Sequence, residues 1–387
     1  MQRIRLGMVG GGEGAFIGAV HRMAARLDDH YELVAGALSS TPARSRRSGR
    51  AIGLPDDRNY LDYQTMAQAE AARTDGIEAV AIVTPNHLHA PVARAFLAAG
   101  IHVICDKPVT TTLKDALALE RLARKRGRIF AVTHNYTGYP MVRQAREMVA
   151  RGMLGEIRVV QVEYPQDWLA EPLERSGHKQ ADWRTDPARS GAGGCIGDVG
   201  SHAFNLARTI SGVEVTELCA ELSTFVKGRA LDDDAQVMLR FANGARGLLW
   251  ASQVAPGNEN NLKIRVYGSK GGLAWAQEHP NQLQWSPLGQ PTQTLARGTG
   301  AANAAAARVT RIPAGHPEGY LEAFATIYAE VAQAIRAARP GAPKAEKAAW
   351  FPTLADGIEG VAFIEAVVAS SRRGGRWVKL PRHPLKP

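Results

Sequence analysis

The stretch VGGGEGAFIGAVH, Val9 to His21, decides how the first third of the chain is read. Before it, RIRLGMV is apolar and suits a buried strand. After it, Val20, Met23, Ala24 and Leu27 recur at i, i+3, i+4 and i+7, which marks one face of a helix. A strand, a glycine turn and a helix in that order make a cradle for a phosphate. The glycines allow a tight turn and close backbone approach, and the helix start turns N–H groups toward an anion. Two registers fit. Gly10-x-Gly12-x-x-Ala15 matches the short dinucleotide-binding form; alternatively Gly10 and Gly12 precede a longer loop, and Gly18 packs helix against strand. The helix pattern begins at Val20, which favours Gly18 and a loop lengthened by three residues.

Working outward, YELVAGALSS, IEAVAIVTP, HVICDKP and RIFAVTH read as further strands. HAPVARAFLAAG, ended by Gly100, and TTTLKDALALERLARKRG, with threonine caps, read as helices between them. Such alternation with short links predicts a parallel sheet covered on both faces. After about residue 135 the rhythm changes. A helix (YPMVRQAREMVARG) and a strand (IRVVQVEYP) lead into an irregular stretch over 166–194, then a glycine-rich segment and a helix. From Glu214 to about Trp285 extended runs follow one another, and Asn243-Gly244 lies between two of them as a hairpin signal. A largely antiparallel sheet is expected there. Two long helical patterns and a short strand, RWVKL, close the chain. The expected organisation is therefore α/β, with a dinucleotide-binding domain over 1–134 and a second α/β domain over 135–387.

Composition narrows the function classes. Of 387 residues, 45% are apolar and 22% charged, as in an ordinary soluble globular enzyme rather than a disordered chain. No apolar run approaches the roughly 18 residues of a membrane helix. The chain opens directly on IRLGMVG with no basic and apolar leader, so a cytoplasmic protein without a membrane partner is expected. Cys105, Cys195 and Cys219 are too few and too scattered for a disulfide framework or a zinc site, and no metal is expected. The net charge is 47 − 37 = +10, but the basic residues are spread along helices and no nucleic-acid motif accompanies them. No nucleic-acid partner follows; the charge serves to attract anionic cofactors or substrates. An NAD site usually places an acid at the end of the second strand for the ribose 2′-OH. Here that strand ends in Ser39-Ser40, followed by Arg44. Hydroxyls and a guanidinium suit a 2′-phosphate better, so NADP is expected ahead of NAD.

Several further motifs occur in a fixed order: Gly18-x-x-His21; TPNHLH, Thr84 to His89; CDKP, Cys105 to Pro108; HNY, His134 to Tyr136; WRTDPARSGAGGCIGDVGSH, Trp183 to His202; and GHPEGYLEAF, Gly315 to Phe324. With this set the chain resembles, over nearly its whole length, the glucose–fructose oxidoreductase / inositol dehydrogenase / rhizopine-catabolism family, Gfo/Idh/MocA. The resemblance implies a Rossmann domain followed by an α/β domain with a large open sheet that commonly mediates oligomers, so a homodimer or homotetramer is expected. It also implies hydride transfer between a nicotinamide cofactor and a carbinol or ketone of a sugar, sugar derivative or cyclitol. The family's Lys-Pro motif falls on Lys107-Pro108, and its Asp-x-Gly-x-His motif on Asp198 and His202. The chain departs from the family pattern in its longer glycine loop, in Asp106 where Glu is usual, and in Asn205 where a second Asp often follows the histidine.

The chemistry of these residues agrees. Removing hydride from an alcohol requires its proton to leave too, which suits a histidine base. A lysine beside the reacting oxygen stabilises developing negative charge. Asp198 and His202 lie four apart and share one face of a helix. Gly194, Gly197 and Gly200 around them disfavour a helix but permit close approach of a ligand. Lys107 follows a strand, and strand C-termini are where open parallel sheets place ligands. Thr84, Pro85, Asn86 and His89 are expected to line the nicotinamide side; Tyr164, Trp183, Arg184 and His316 are candidates for meeting a polyol. Two other readings stand beside the dehydrogenase: an NAD-dependent glycosidase working by transient oxidation and elimination, and a noncatalytic ligand-sensing regulator. Lys107, Asp198 and His202 together weigh against the regulator.

Overall fold

Five strands alternate with helices at the start of the chain: β1 (Ile4–Gly10), β2 (Tyr31–Ala37), β3 (Ala79–Val83), β4 (His102–Cys105) and β5 (Phe130–Val132). They pair in parallel in the order β2-β1-β3-β4-β5. All of β3 and β4 is buried, as expected where helices cover both faces. The strand order reverses between β1 and β3, and ligands of open α/β sheets bind at the carboxyl ends beside such a switch point. The computed structural model describes residues 2–339, 341 and 350–381. Among the described residues no helix is long and apolar enough to cross a membrane.

The sequence reading has no element between Ser40 and Glu78, yet helices run over Pro42–Ala51 and Tyr63–Ala72. PARSRRSGRA buries only Ser45, Ser48 and Gly49. A helix whose inward face is serine and glycine leaves no apolar stripe to read.

Nine strands form the second sheet: β6 (Ile157–Pro165), β7 (Val215–Ser223), β8 (Asp234–Phe241), β9 (Arg246–Ser252), β10 (Lys263–Gly268), β11 (Gly271–Ala276), β12 (Gln282–Pro287), β13 (Gln293–Ala296) and β14 (Val378–Lys379). Their order is β13-β12-β11-β10-β6-β9-β8-β7-β14. Among the described residues of this sheet only β6 and β9 pair in parallel; the other neighbours are antiparallel. Asn243-Gly244 turns β8 into β9, with Gly244 at φ +88° and the Asn243 side chain accepting the Ala245 N–H at 3.1 Å. Helices Pro140–Ala150 and Ser201–Ser211 pack on one face of this sheet. The irregular stretch holds short helices, Lys179–Arg184 and Pro187–Ser190.

The chain divides into two compact units, Met1–Asn135 with Leu321–Ile358, and Tyr136–Tyr320 with Glu359–Pro387. A second domain running unbroken over 135–387 is therefore not what is found, because residues 321–358 group with the first unit. Polar contacts explain why. In the helix Tyr320–Ala337, the carbonyl of Tyr328 accepts from the Tyr31 hydroxyl at 2.9 Å, and Arg336 donates to His30; just beyond the helix, Arg339 pairs with Glu78. Linear order cannot show that a late helix returns to cover an early sheet.

Candidate active site

In the first unit the glycine stretch leaves β1 through left-handed conformations at Gly10 (φ +84°) and Gly11 (φ +72°), and again at Gly14 (φ +74°). The helix starts at Phe16, earlier than the apolar pattern suggests, so Gly18 lies in its first turn. There it meets Gly11: a Cβ on Gly11 would lie 2.7 Å from the Gly18 Cα, and one on Gly18 would press on the Gly11 backbone more closely still. Gly18 thus takes the packing role, with Gly11 as its unforeseen partner. No side chain caps the helix, contrary to the usual expectation at such a start, and its first turn carries no acid. Left-handed glycines leading into an uncapped helix start, at the switch point of a parallel sheet, fit a dinucleotide pyrophosphate.

The longer loop also folds against the end of β2. The Gly12 N–H donates to the Leu38 carbonyl at 3.1 Å, and the Glu13 N–H to the Ser48 hydroxyl at 3.0 Å. The Ser39 hydroxyl accepts the Thr41 N–H at 3.2 Å, while Ser40 and Arg44 are exposed. The expectation of NADP rested on the lack of an acid here. Glu13, carried in by the loop, puts a carboxylate 3.5 Å from Arg47 on the helix that follows β2.

At the end of β4, Asp106 precedes Lys107, whose bond to Pro108 is cis. Asp106 Oδ1 accepts from the Thr133 hydroxyl at 2.5 Å and meets His21 Nε2 at 3.0 Å; His21 Nδ1 lies 2.8 Å from the Tyr328 hydroxyl. Burial holds the Tyr328 hydroxyl well above its ordinary range, so it keeps its proton. The Asp106 carboxylate can only accept, so the fully buried His21 donates its Nε2 hydrogen to it. Burial by itself raises the Asp106 carboxyl, but His21 and Thr133 outweigh it and hold the group below the usual carboxylate range. The shorter acid is therefore an anchored anion next in chain to Lys107. Burial, reinforced by the Lys107 ammonium, pushes the His134 imidazole down to about 3, so it is neutral.

Thr84 and Pro85 follow β3, half-buried, and Asn86 is buried. His89 differs from expectation. Its ring is buried, with Nδ1 2.8 Å from the Pro108 carbonyl and Nε2 2.9 Å from the Thr84 carbonyl. Burial favours the neutral ring, whose single N–H bonds one of the two carbonyls, so His89 packs between β3's end and the Lys107-Pro108 turn.

In the second unit Asp198 lies in a wide helical turn, Ile196–Gly200, that runs directly into the helix Ser201–Ser211 bearing His202. Such π-type turns often mark functional sites. Asp198 Oδ2 accepts from Arg184 Nε at 3.2 Å and from Gln253 Nε2 at 3.0 Å. The Arg184 guanidinium also lies 4.2 Å from the Trp183 ring centroid and 5.9 Å from that of Trp168. The half-buried His202 ring meets Tyr136 edge-on, centroids 4.8 Å apart.

Tyr164 is buried: its hydroxyl bonds to that of Tyr136 and donates to Asn260 Oδ1 at 2.6 Å. It supports the His202 surroundings instead of presenting a hydroxyl to a ligand. His316 is exposed on a loop whose carbonyls at Ile312, Pro313 and His316 are gathered by the buried Arg297, itself paired to Glu318 at 2.9 Å. The three glycines separate by role. Gly194 packs against Asp232 and Gly200 against Ile196, and only Gly197 faces open space.

Asp232 accepts the Gly194 N–H at 2.7 Å and the Ile196 N–H at 2.8 Å, holding the start of the Asp198 segment. Burial outweighs these bonds and raises its carboxyl to about 6. A raised native pKa means that ionisation costs more folded than unfolded. Stability from this group is complete below the unfolded value and falls as pH rises through about 6. Thermal melts from pH 4 to 7 should show that slope in the wild type, and Asp232→Asn should lack it.

Sequence reasoning did not assign Glu13, Thr133, Tyr328, Gln253 or Asn260. His21 and Tyr136 sat inside quoted motifs without a role, and that was the available signal.

The comparisons agree with this geometry. Residues 4–134 match the model of the oxidoreductase family with an NAD-binding Rossmann fold, and residues 142–274 match the GFO/IDH/MocA C-terminal domain. A crystal structure of an oxidoreductase from Sinorhizobium meliloti is 55% identical, with a TM-score of 0.89 over 98% of this chain and 100% of that one. An inositol dehydrogenase homolog from Azotobacter vinelandii, complexed with NADH and myo-inositol, is 40% identical, with a TM-score of 0.90 over 98% of each chain. Levoglucosan dehydrogenase of Pseudarthrobacter phenanthrenivorans is 27% identical over 416 residues, 99% of each chain. The chain belongs to the GFO/IDH/MocA family of oxidoreductases.

Proposed function

We propose that the protein is a nicotinamide-dependent dehydrogenase or reductase acting on a CH–OH carbon of a sugar, sugar derivative or cyclitol. The observation that carries this reading is the Asp198–His202 face: a half-buried imidazole four residues after a carboxylate pinned by Arg184 and Gln253. A rigid acceptor beside a base suits a substrate with neighbouring hydroxyls, one held while another loses its proton. The ligand in the Azotobacter structure and the substrate named for the levoglucosan enzyme are both hydroxylated rings, which supports the same class.

When bound, the nicotinamide accepts or returns the hydride. His202 takes the hydroxyl proton as the carbon–hydrogen bond breaks, and the carbinol becomes a ketone. Lys107, next in chain to the anchored Asp106, stabilises the developing alkoxide with its ammonium group. Asp198 orients the substrate, with Trp183, Arg184 and His316 as further contacts. The left-handed loop that begins at Gly10 and the uncapped helix start hold the pyrophosphate, with Gly12 tying the loop to Leu38 and Gly18 packing the helix on Gly11; Thr84, Pro85 and Asn86 border the nicotinamide. A screen of cyclitols, sugars and anhydrosugars, following absorbance of the reduced cofactor, should find turnover. Binding of a sugar without turnover of any would favour the regulator, and glycoside cleavage without net cofactor reduction the glycosidase.

The face of the nine-stranded sheet opposite its helices supports self-association. Met238 and Leu248 are cross-strand partners there, 46% and 51% exposed, and Tyr267 is 43% exposed. Apolar side chains gathered on an open sheet usually mark an interface. Light scattering at micromolar concentration should give a dimer or tetramer, and Met238→Lys with Leu248→Lys should give a monomer.

A further inference from the structure

We propose that Glu13, brought in by the lengthened glycine loop, is the acid that selects NAD(H) over NADP(H), in place of the missing acid at the end of β2. The inference rests on the reading that the first unit binds a nicotinamide dinucleotide. Three contacts place the residue. The Gly12 N–H bonds to the carbonyl of Leu38, one residue beyond β2, and a Cβ on Gly12 would lie 2.6 Å from that oxygen. The Glu13 N–H bonds to Ser48 at 3.0 Å, which pins its backbone to the helix Pro42–Ala51. Its carboxylate then reaches Arg47, with Oε2 3.5 Å from a guanidinium nitrogen. The end of β2 is where a Rossmann-type sheet meets the adenosine ribose.

The surroundings decide which ribose suits this place. Arg44, Arg46 and Arg47 are exposed on the same helix and alone would favour a 2′-phosphate. Arg50 is already paired to Asp56 at 2.9 Å. Glu13 alters the balance in two ways. It stands in contact with Arg47, so a 2′-phosphate, with about 1.5 to 2 negative charges, meets a carboxylate together with the guanidinium. A ribose 2′-OH instead donates to that carboxylate, a charge-assisted bond that a phosphate without a proton cannot make. Ser39 accepts the Thr41 N–H and is uncharged, so a bond to it lacks the charge assistance that the Glu13 carboxylate gives. The Glu13 and Arg47 side chains are each 64% exposed, so the pair is loose and open to a ligand.

The test is calorimetric titration of the full-length apo protein with NADH and with NADPH, with no substrate present. The wild type should bind NADH more tightly. Glu13→Gln keeps the length and an exposed loop position but loses the charge. It should weaken NADH about 10-fold and tighten NADPH, the scale of one charge-assisted hydrogen bond. Adding Arg44→Ala to Glu13→Gln should take that NADPH gain away, and Arg47→Ala alone should leave NADH preferred. An unchanged ratio of affinities in Glu13→Gln, or a wild type that prefers NADPH, overturns the assignment while leaving the dinucleotide site in place. Failure of the wild type to bind either cofactor overturns the dinucleotide reading itself, and the role of Glu13 with it.

Discussion

His202→Ala should lower kcat by about 10²–10⁴-fold, the usual contribution of a positioned general base, and leave cofactor affinity unchanged. The ring is half-buried in the first turn of its helix and packs edge-on against Tyr136. Oxidation by the wild type should rise with pH as the base loses its proton, and the variant should lack that limb. Lys107→Ala should be at least as damaging, because it removes both the charge on the developing alkoxide and a means of placing it. Stopped-flow measurement of hydride transfer separates these chemical effects from product release. Two variants turning over at near wild-type rates on the true substrate would remove both residues from the mechanism.

Gly18→Ala should destabilise the first unit by about 1–3 kcal/mol, the range for overpacking a tight core. The added Cβ meets the Cα and carbonyl of Gly11, which are backbone and cannot rotate away. Relief requires the helix Phe16–Leu27 to lift from β1, and the uncapped helix start moves with it. Denaturant unfolding should therefore show a lower midpoint, and calorimetry a weaker dinucleotide. Gly14→Ala is the control in the same loop. Nothing lies within 4 Å of its Cβ, so only the left-handed backbone at φ +74° resists. That cost is about 1–2 kcal/mol and should not displace the helix. Equal loss of affinity in the two variants would show that loop conformation, and not helix–strand packing, sets the cradle.

Local chemistry explains which features could be read along the chain. All five strands of the first sheet were visible because each is an apolar run bounded by glycine or proline signals. The β8–β9 hairpin was visible because Asn-Gly supplies the left-handed conformation its turn needs. The helix Pro42–Ala51 was hidden because its buried face is Ser45, Ser48 and Gly49, not leucine or valine.

Lys107, Asp198 and His202 were singled out through the family resemblance, whereas the order of residues alone was enough for the class of fold and for the glycine loop with Gly18 as its packing residue. Each depends on neighbours within a turn or a strand, so periodicity and spacing contain it. Folding in space settled the partners of those residues. His21 and Asp106 are 85 residues apart, Tyr328 and His21 307 apart, and Gln253 lies 55 beyond Asp198. No local pattern links such pairs, because a hydrogen bond records where two segments meet and not how far apart they lie in sequence. The same reason moved residues 321–358 back to the first unit, buried the His89 ring between two backbone carbonyls, and brought Glu13 to a strand whose end carries no acid.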